Sequence, residues 1–371
     1  MNIALVHDYL SQDGGAERVL KALHEIWPEA PIFVLFRDCK KISNFNNAKI
    51  HESFLSRLPF GKSQYQWYLS WMPLATESHD LENFDVVIST SSVFAKGIIT
   101  GPNTLHISYC HTPPRFLWAD NYRYLEDLKY NRLVKFFIPG LLHRLRLWDQ
   151  SSVGRVDHFI ANSQTVARRI QKYYRRESAV IYPPVDTHIF SSGETKDYFV
   201  AGGRLVPYKR VDLAIKVFNR LGWPLKIFGA GPEYASLKNK AKENIEFLGQ
   251  INDMEKAKLL QGARAFIHPQ IEDLGITALE SMACGRPVIA FAQGGATETV
   301  LPDETGIFFN KQSWETLLNA VLNFNHKNWD SEKITEHARK FDVNNFKNNI
   351  KKYVDNRYEE FTRGFTQLRH L

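Results

Sequence analysis

Ile181-Tyr182-Pro183-Pro184-Val185-Asp186 is the stretch that divides this chain. Two consecutive prolines fix φ, remove two amide donors and stop a helix. On both sides short apolar runs alternate with helical patterns. Upstream, residues 2–7, 31–36, 84–89, 105–110 and 158–161 read as buried strands, with helices over 16–26 and 164–174. Downstream the alternation restarts, with strands over 198–202, 225–228, 245–248, 265–268 and 287–290 and helices over 210–221 and 233–241. Such alternation predicts mostly parallel sheets, so the fold class is α/β. The expected architecture is two Rossmann-like α/β/α domains facing across a cleft, over residues 1–183 and 184–350. A C-terminal helix and tail over 351–371 should pack back, because Phe346, Ile350, Tyr353, Val354, Tyr358 and Phe361 recur at helical spacing.

The composition narrows the function classes. With 371 residues, 44% hydrophobic and 23% charged, the chain can bury a sizeable core and is not disordered. Cys39, Cys110 and Cys284 are too few and too scattered for a disulfide framework, and no C-x-x-C pair suggests structural zinc. MNIALVHDYL has no basic n-region and no long apolar run, so it does not read as a secretory signal. The longest uncharged stretch, 97–114, contains Gly, Pro, Asn and His and would span a membrane poorly. A cytoplasmic location is expected. Charge is uneven: the net is +7, yet residues 129–176 alone hold 11 Lys or Arg against Asp149 and Asp157. A local basic surface calls for an anionic partner.

Four stretches could carry chemistry. In Glu272-Asp273-Leu274-Gly275-Ile276-Thr277-Ala278-Leu279-Glu280, a strand leads through Gly275 into a helix ending near Gly285. A helix start offers free N–H groups and about half a positive charge to an anion. Glu272 precedes that helix and Glu280 lies two turns inside it, so the carboxylates can address different parts of one ligand. In Gly202-Gly203-Arg204-Leu205-Val206-Pro207-Tyr208-Lys209, two glycines end a strand, and Arg204 and Lys209 share the loop beyond it. Arg suits bidentate phosphate contact and Lys supplies a point charge. Gly14-Gly15 open the first helix; this is neither G-x-G-x-x-G nor a Walker A loop, and serves either as a tight turn or as a phosphate contact. In Tyr109-Cys110-His111-Thr112-Pro113-Pro114-Arg115, His111 ends a strand and is either structural or functional.

Taken together these residues resemble glycosyltransferase family four. The resemblance rests on E-x7-E at Glu272 and Glu280, on Gly203, Arg204 and Lys209, and on the early Gly-Gly. Val6 to Leu20 (V-H-D-Y-L-x-x-x-G-G-A-E-R-V-L) and Tyr109 to Trp118 (Y-C-H-T-P-P-R-x-L-W) are closer still to bacterial O-antigen and polysaccharide-type mannosyltransferases. E-D-x-G-I-T at Glu272 to Thr277 is similar to the same group, with Leu274 where Phe is usual and Ser281 where Ala is usual.

The resemblance implies a GT-B fold and retaining transfer from a nucleotide sugar, most readily mannose from GDP-mannose. It implies that Glu280 holds the ribose hydroxyls and Glu272 the transferred sugar. Arg204 and Lys209 would hold the diphosphate, together with the backbone from Leu274 through Gly275 and Ile276 to Thr277. Gly14 and Gly15 would approach the donor phosphate from the other domain, and His111 would lie near the sugar 6-hydroxyl. No D-x-D signature is present, and two cations can replace a divalent ion, so no metal and no cofactor is expected. The acceptor would be a saccharide, including one linked to polyprenyl diphosphate. Lys129, Arg132, Lys135, Arg144 and Arg146, with nearby aromatic residues, would face an anionic membrane on its inner side, in cell-surface polysaccharide synthesis. The alternatives are a UDP-sugar donor or a non-catalytic nucleotide-sugar-binding protein. No nucleic-acid-binding module is evident.

Overall fold

The computed structural model describes residues 1–11, 14–38, 45, 47–59, 65–119, 132–325 and 328–368, without the side chains of 66, 132–135, 325 and 365–368. The chain forms two compact units, Met1–Pro183 with Phe346–Leu371, and Pro184–Asn345.

The first unit is a seven-stranded sheet in the order β3-β2-β1-β4-β5-β6-β7. Its strands are β1 (Ile3–His7), β2 (Ile32–Val34), β3 (Ile50–Glu52), β4 (Val86–Ser91), β5 (Leu105–Cys110), β6 (His158–Ala161) and β7 (Ser178–Val180). All pairings are parallel. The central strands β1, β4 and β5 are buried at every residue: β1 is a continuous apolar run up to His7, whereas β4 and β5 also bury Ser89, His106 and Ser108. The Val343–Leu368 helix joins this unit. Its Phe346, Ile350 and Val354 are buried, with the Phe346 ring 5.9 Å from that of Tyr109. The division therefore falls at Asn345/Phe346 rather than after residue 350.

The second unit is a six-stranded sheet in the order β10-β9-β8-β11-β12-β13. It comprises β8 (Phe199–Gly202), β9 (Leu225–Phe228), β10 (Ile245–Gly249), β11 (Phe266–His268), β12 (Val288–Phe291) and β13 (Gly306–Phe309), again all parallel. Leu205, Val211, Ile215 and Phe218 pack with Leu225, Ile267 and Ile289 in its core.

Each sheet reverses its strand order once, between β1 and β4 and between β8 and β11. At such a switch point neighbouring loops leave the carboxyl ends of the strands in opposite directions and open a crevice. No helix of the described residues is long and apolar enough to cross a membrane.

Candidate functional site

The crevice of the second unit holds the residues that the sequence singled out. The loop after β8 carries Arg204 and Lys209, and the loop after β11 carries Glu272. Lys209 Nζ is ion-paired with Glu272 Oε1, both side chains mostly covered. Arg204 is exposed on the same loop. Gln270 Nε2 donates to Glu272 Oε1 at 3.3 Å and lies 3.1 Å from His268 Nδ1. Because the amide is the donor in both, Nδ1 accepts and the ring proton sits on Nε2. Burial, reinforced by Lys209, pushes the His268 pKa down to about 3, so the ring is neutral.

Glycines make this geometry possible. Gly275 caps the Ile276–Ala283 helix at φ 93°, a left-handed conformation that side chains disfavour. A Cβ there would also crowd His268 Nε2, at 3.2 Å. The helix N-terminus follows directly, with Ile276 and Thr277 half-buried in its first turn and Leu274 buried before it. Gly294 and Gly295 lie against the loop from below: Gly295 N–H donates to Glu272 O at 2.8 Å, and a Cβ on Gly295 would collide with Leu274 Cα. Sequence reasoning passed over Gln270, His268 and this second Gly-Gly pair. The signal for the pair was the same as at Gly202-Gly203, two glycines closing a strand.

Glu280 is buried one helical turn beyond Thr277. Its Oε1 accepts from Lys256 Nζ at 3.0 Å, and Lys256 also reaches Asp253 Oδ1 at 3.0 Å. Burial, then the Glu280 charge, pushes the nearby Cys284 thiol up to about 12, so it stays protonated and inert. Among the described residues no group of three or more His, Cys, Asp or Glu converges as a metal site.

The switch point of the first unit gathers a different set. Gly14 N–H donates to Glu17 Oε2 at 3.0 Å, closing the turn that opens the Gly15–Ile26 helix. Glu17 Oε1 lies 3.9 Å from His7 Nε2, and His7 Nδ1 is hydrogen-bonded to Thr90 Oγ1 on β4. Asp8 accepts four backbone N–H groups, from Ser92, Val93, Phe94 and Ala95, at 2.7–2.9 Å. That anchors the loop after β4 to the end of β1. His111 follows β5; its N–H donates to Ser91 O at 2.9 Å, and its carbonyl accepts from Asn162 Nδ2 at 2.9 Å. Its Nε2 has no hydrogen-bond partner. Burial, then the neighbouring His7, pushes its pKa down to about 3.

The basic candidates separate. Lys129 lies outside the described residues, and Arg132 and Lys135 are described only as backbone of the Arg132–Ser152 helix. Arg144 is exposed. Arg146 differs: its Nε donates to Leu117 O at 2.9 Å and its guanidinium lies 5.9 Å from the Trp118 ring centre, so it is partly a packing residue.

The two halves match two family models. Residues 13–189 match "Glycosyltransferase Family 4" and residues 186–341 match "Glycosyl transferases group 1". The chain is 26% identical over 275 residues to an alpha-1,3/1,6-mannosyltransferase of Dictyostelium discoideum, covering 60% of this chain and 62% of that one. It is 25% identical over 233 residues to the O-antigen chain mannosyltransferase C of Escherichia coli, covering 58% and 61%. The chain spans between 38% and 62% of the length of such curated relatives. A solved structure of Anabaena HepE in complex with UDP and glucose superposes with a TM-score of 0.69 at 16% identity, over 96% of this chain and 99% of that one. The fold is therefore GT-B, and the chain matches two glycosyltransferase families in succession, one in each half.

Proposed function

We propose that this chain is a retaining, metal-independent glycosyltransferase that moves mannose from GDP-mannose to a saccharide acceptor in cell-surface polysaccharide synthesis. The observation that carries the reading is the contact of Lys209 with Glu272 at the switch point between β8 and β11, beside the helix start at Gly275. A cation, a carboxylate and a row of free N–H groups meet where an open α/β sheet takes ligands.

Each group has a task in this reading. Lys209 and Arg204 neutralise the diphosphate, whose charge grows as the sugar leaves. The N–H groups at Gly275, Ile276 and Thr277 donate to the same phosphates, with Leu274 seating the loop beneath. Glu272 hydrogen-bonds the sugar hydroxyls and releases Lys209 to the phosphate when donor enters. Glu280 takes the ribose hydroxyls in exchange for part of its bond to Lys256. Gly14 and Gly15 serve the donor phosphate from the first unit. His111 is a neutral imidazole near neutral pH, so it acts as a neutral hydrogen-bonding group toward the sugar. The acceptor is a saccharide carried on polyprenyl diphosphate, met at the inner face of the membrane by the basic side chains of residues 129–146.

The mannosyltransferase relatives support the sugar, and the guanine base is supported by a Corynebacterium glutamicum mannosyltransferase named as GDP-mannose-dependent, 35% identical over 145 residues. A UDP-sugar donor is the second reading, favoured by the HepE likeness, whose solved complex contains UDP and glucose. Thermal shift with GDP-mannose, UDP-glucose and UDP-N-acetylglucosamine separates them: GDP-mannose alone should raise the melting temperature. Stabilisation by a UDP-sugar alone would replace the donor. No stabilisation by any of the three would overturn the reading.

A further inference from the structure

The first unit carries an apolar surface that donor chemistry does not use. A groove of about 530 Å3 runs between the segment around Met72–Glu77 and the Arg132–Ser152 helix, with Pro73 on one wall and Phe137 and Gly140 on the other. Arg144 is its charged lining residue. Aromatic residues of the same two segments stand in solvent: Trp67 is 69% exposed, Trp71 54%, Phe136 78% and Phe137 66%. The Phe136 and Phe137 rings meet edge to face at 5.4 Å, so they form one cluster rather than scattered contacts. A clustered apolar face of this kind marks a docking surface.

Charge decides the occupant. Between residues 132 and 152 there are four Lys or Arg and one acid, Asp149. That acid is buried, accepting from Lys96 Nζ at 2.6 Å and from Trp118 Nε1 at 2.8 Å. The outer face of the helix is thus left without a carboxylate. A second copy docked through a two-fold axis would offer Arg144 no carboxylate from the same helix, whose one acid is the buried Asp149. Tryptophan rings with Lys and Arg on an amphipathic helix suit the interface of a bilayer carrying anionic lipid.

We propose that this face docks on an anionic lipid leaflet, and that the groove takes one lipid chain while Arg144 binds that lipid's phosphate. The proposal rests on the membrane-borne acceptor inferred above and gives it a seat on the protein.

The test uses the full chain with vesicles of phosphatidylcholine, with and without phosphatidylglycerol. Wild type should sediment with the anionic vesicles only, and high salt should release it. Arg144→Gln should weaken binding about fivefold, the effect of one basic group near the surface. Trp67→Ser with Trp71→Ser should weaken it further. A Cβ at Gly140 meets nothing within 4 Å, so Gly140→Gln can fill the groove without disturbing the fold. That variant keeps every charge, yet should lose the quenching of Trp148, a further groove residue, by lipids brominated along the chain. Unchanged quenching overturns the chain-binding groove. Equal binding to both vesicles, or none, overturns the leaflet. A concentration-dependent dimer abolished by Phe136→Ser and Phe137→Ser would assign the face to a second copy and overturn the proposal. Calorimetry with GDP and UDP on the same proteins reads the donor site separately: failure there sinks the donor reading and leaves the vesicle result standing.

Discussion

The two units share one sheet design but differ in what they place inside and at the rim. In the first unit, polar side chains are taken into the interior: Lys96 with Asp149, His106 with Ser89, Asp8 with four amides. In the second, the specialised feature is the backbone. Among the described residues, every glycine with positive φ lies there, from Gly202 to Gly294. Many sit at the carboxyl ends of strands, where Gly229 faces Gly203 and Gly231 faces Leu205 with no room for a Cβ. A buried charge pair ties distant segments together but depends on both partners. Glycines at a rim let loops approach one another and a ligand closely. The first device suits a scaffold, the second an anion site.

Removing one partner from the first unit's interior should have the largest effect. Lys96→Met leaves Asp149 charged and buried with only its Trp118 and Tyr174 partners, and should cost about 3–5 kcal/mol. Urea denaturation measures the loss, and peptide-resolved hydrogen exchange should place it in the first unit. Loss spread evenly over both units would break the contrast.

Gly229→Ala is the counterpart. Its Cβ would collide with the Gly203 carbonyl at φ 113°, so the second unit should lose about 3 kcal/mol. Nucleotide binding should fall with it while exchange in the first unit stays as it was. A binder of normal affinity would show that the rim glycines do not shape the site.

Lys209→Ala should leave the fold intact and lower transfer about a hundredfold, close to 3 kcal/mol of lost charge stabilisation. Steady-state turnover with GDP-mannose checks this, and near-normal rates would remove Lys209 from the donor site.

The smallest effect is in the response to acid. Burial lowers His79 and His106 to about 4 and His111 to about 3, all in the first unit. In the second, among the described residues, only His268 falls as far, to about 3. The unfolded chain takes up protons near pH 6.5, before the folded histidines do. Stability present above about pH 6.5 is therefore lost as pH falls toward about 4. The first unit should soften first, visible as earlier exchange there at pH 5 than at pH 7. His106→Asn should narrow the difference; earlier softening of the second unit would reverse the comparison.

How much was legible varies with the kind of residue. The central strands β1 and β8 announced themselves because burial on both faces favours continuous apolar runs, whereas β5 carries His106 and Ser108 inside. The edge strands β3 and β7 did not, being three residues long with none of them buried, and neither did β13, mostly buried but only four residues long. Residues 164–174 read as one helix, but the α-helix Gln164–Arg169 gives way to a π turn over Ile170–Tyr174, which repeats too briefly to leave a periodic mark.

By itself the sequence determined what local chemistry dictates: two parallel α/β units split at Pro183-Pro184, a glycine-started helix at Gly275, and two glutamates a fixed helical distance apart. Only the tertiary structure decided which distant groups meet. Lys209 and Glu272 are 63 residues apart in the chain and touch because β8 and β11 are neighbours at the reversal of strand order. Asp149 looks like a surface acid in a basic helix, yet it lies inside against Lys96, 53 residues away. Pairing across such separations depends on sheet order and packing, which no local pattern encodes.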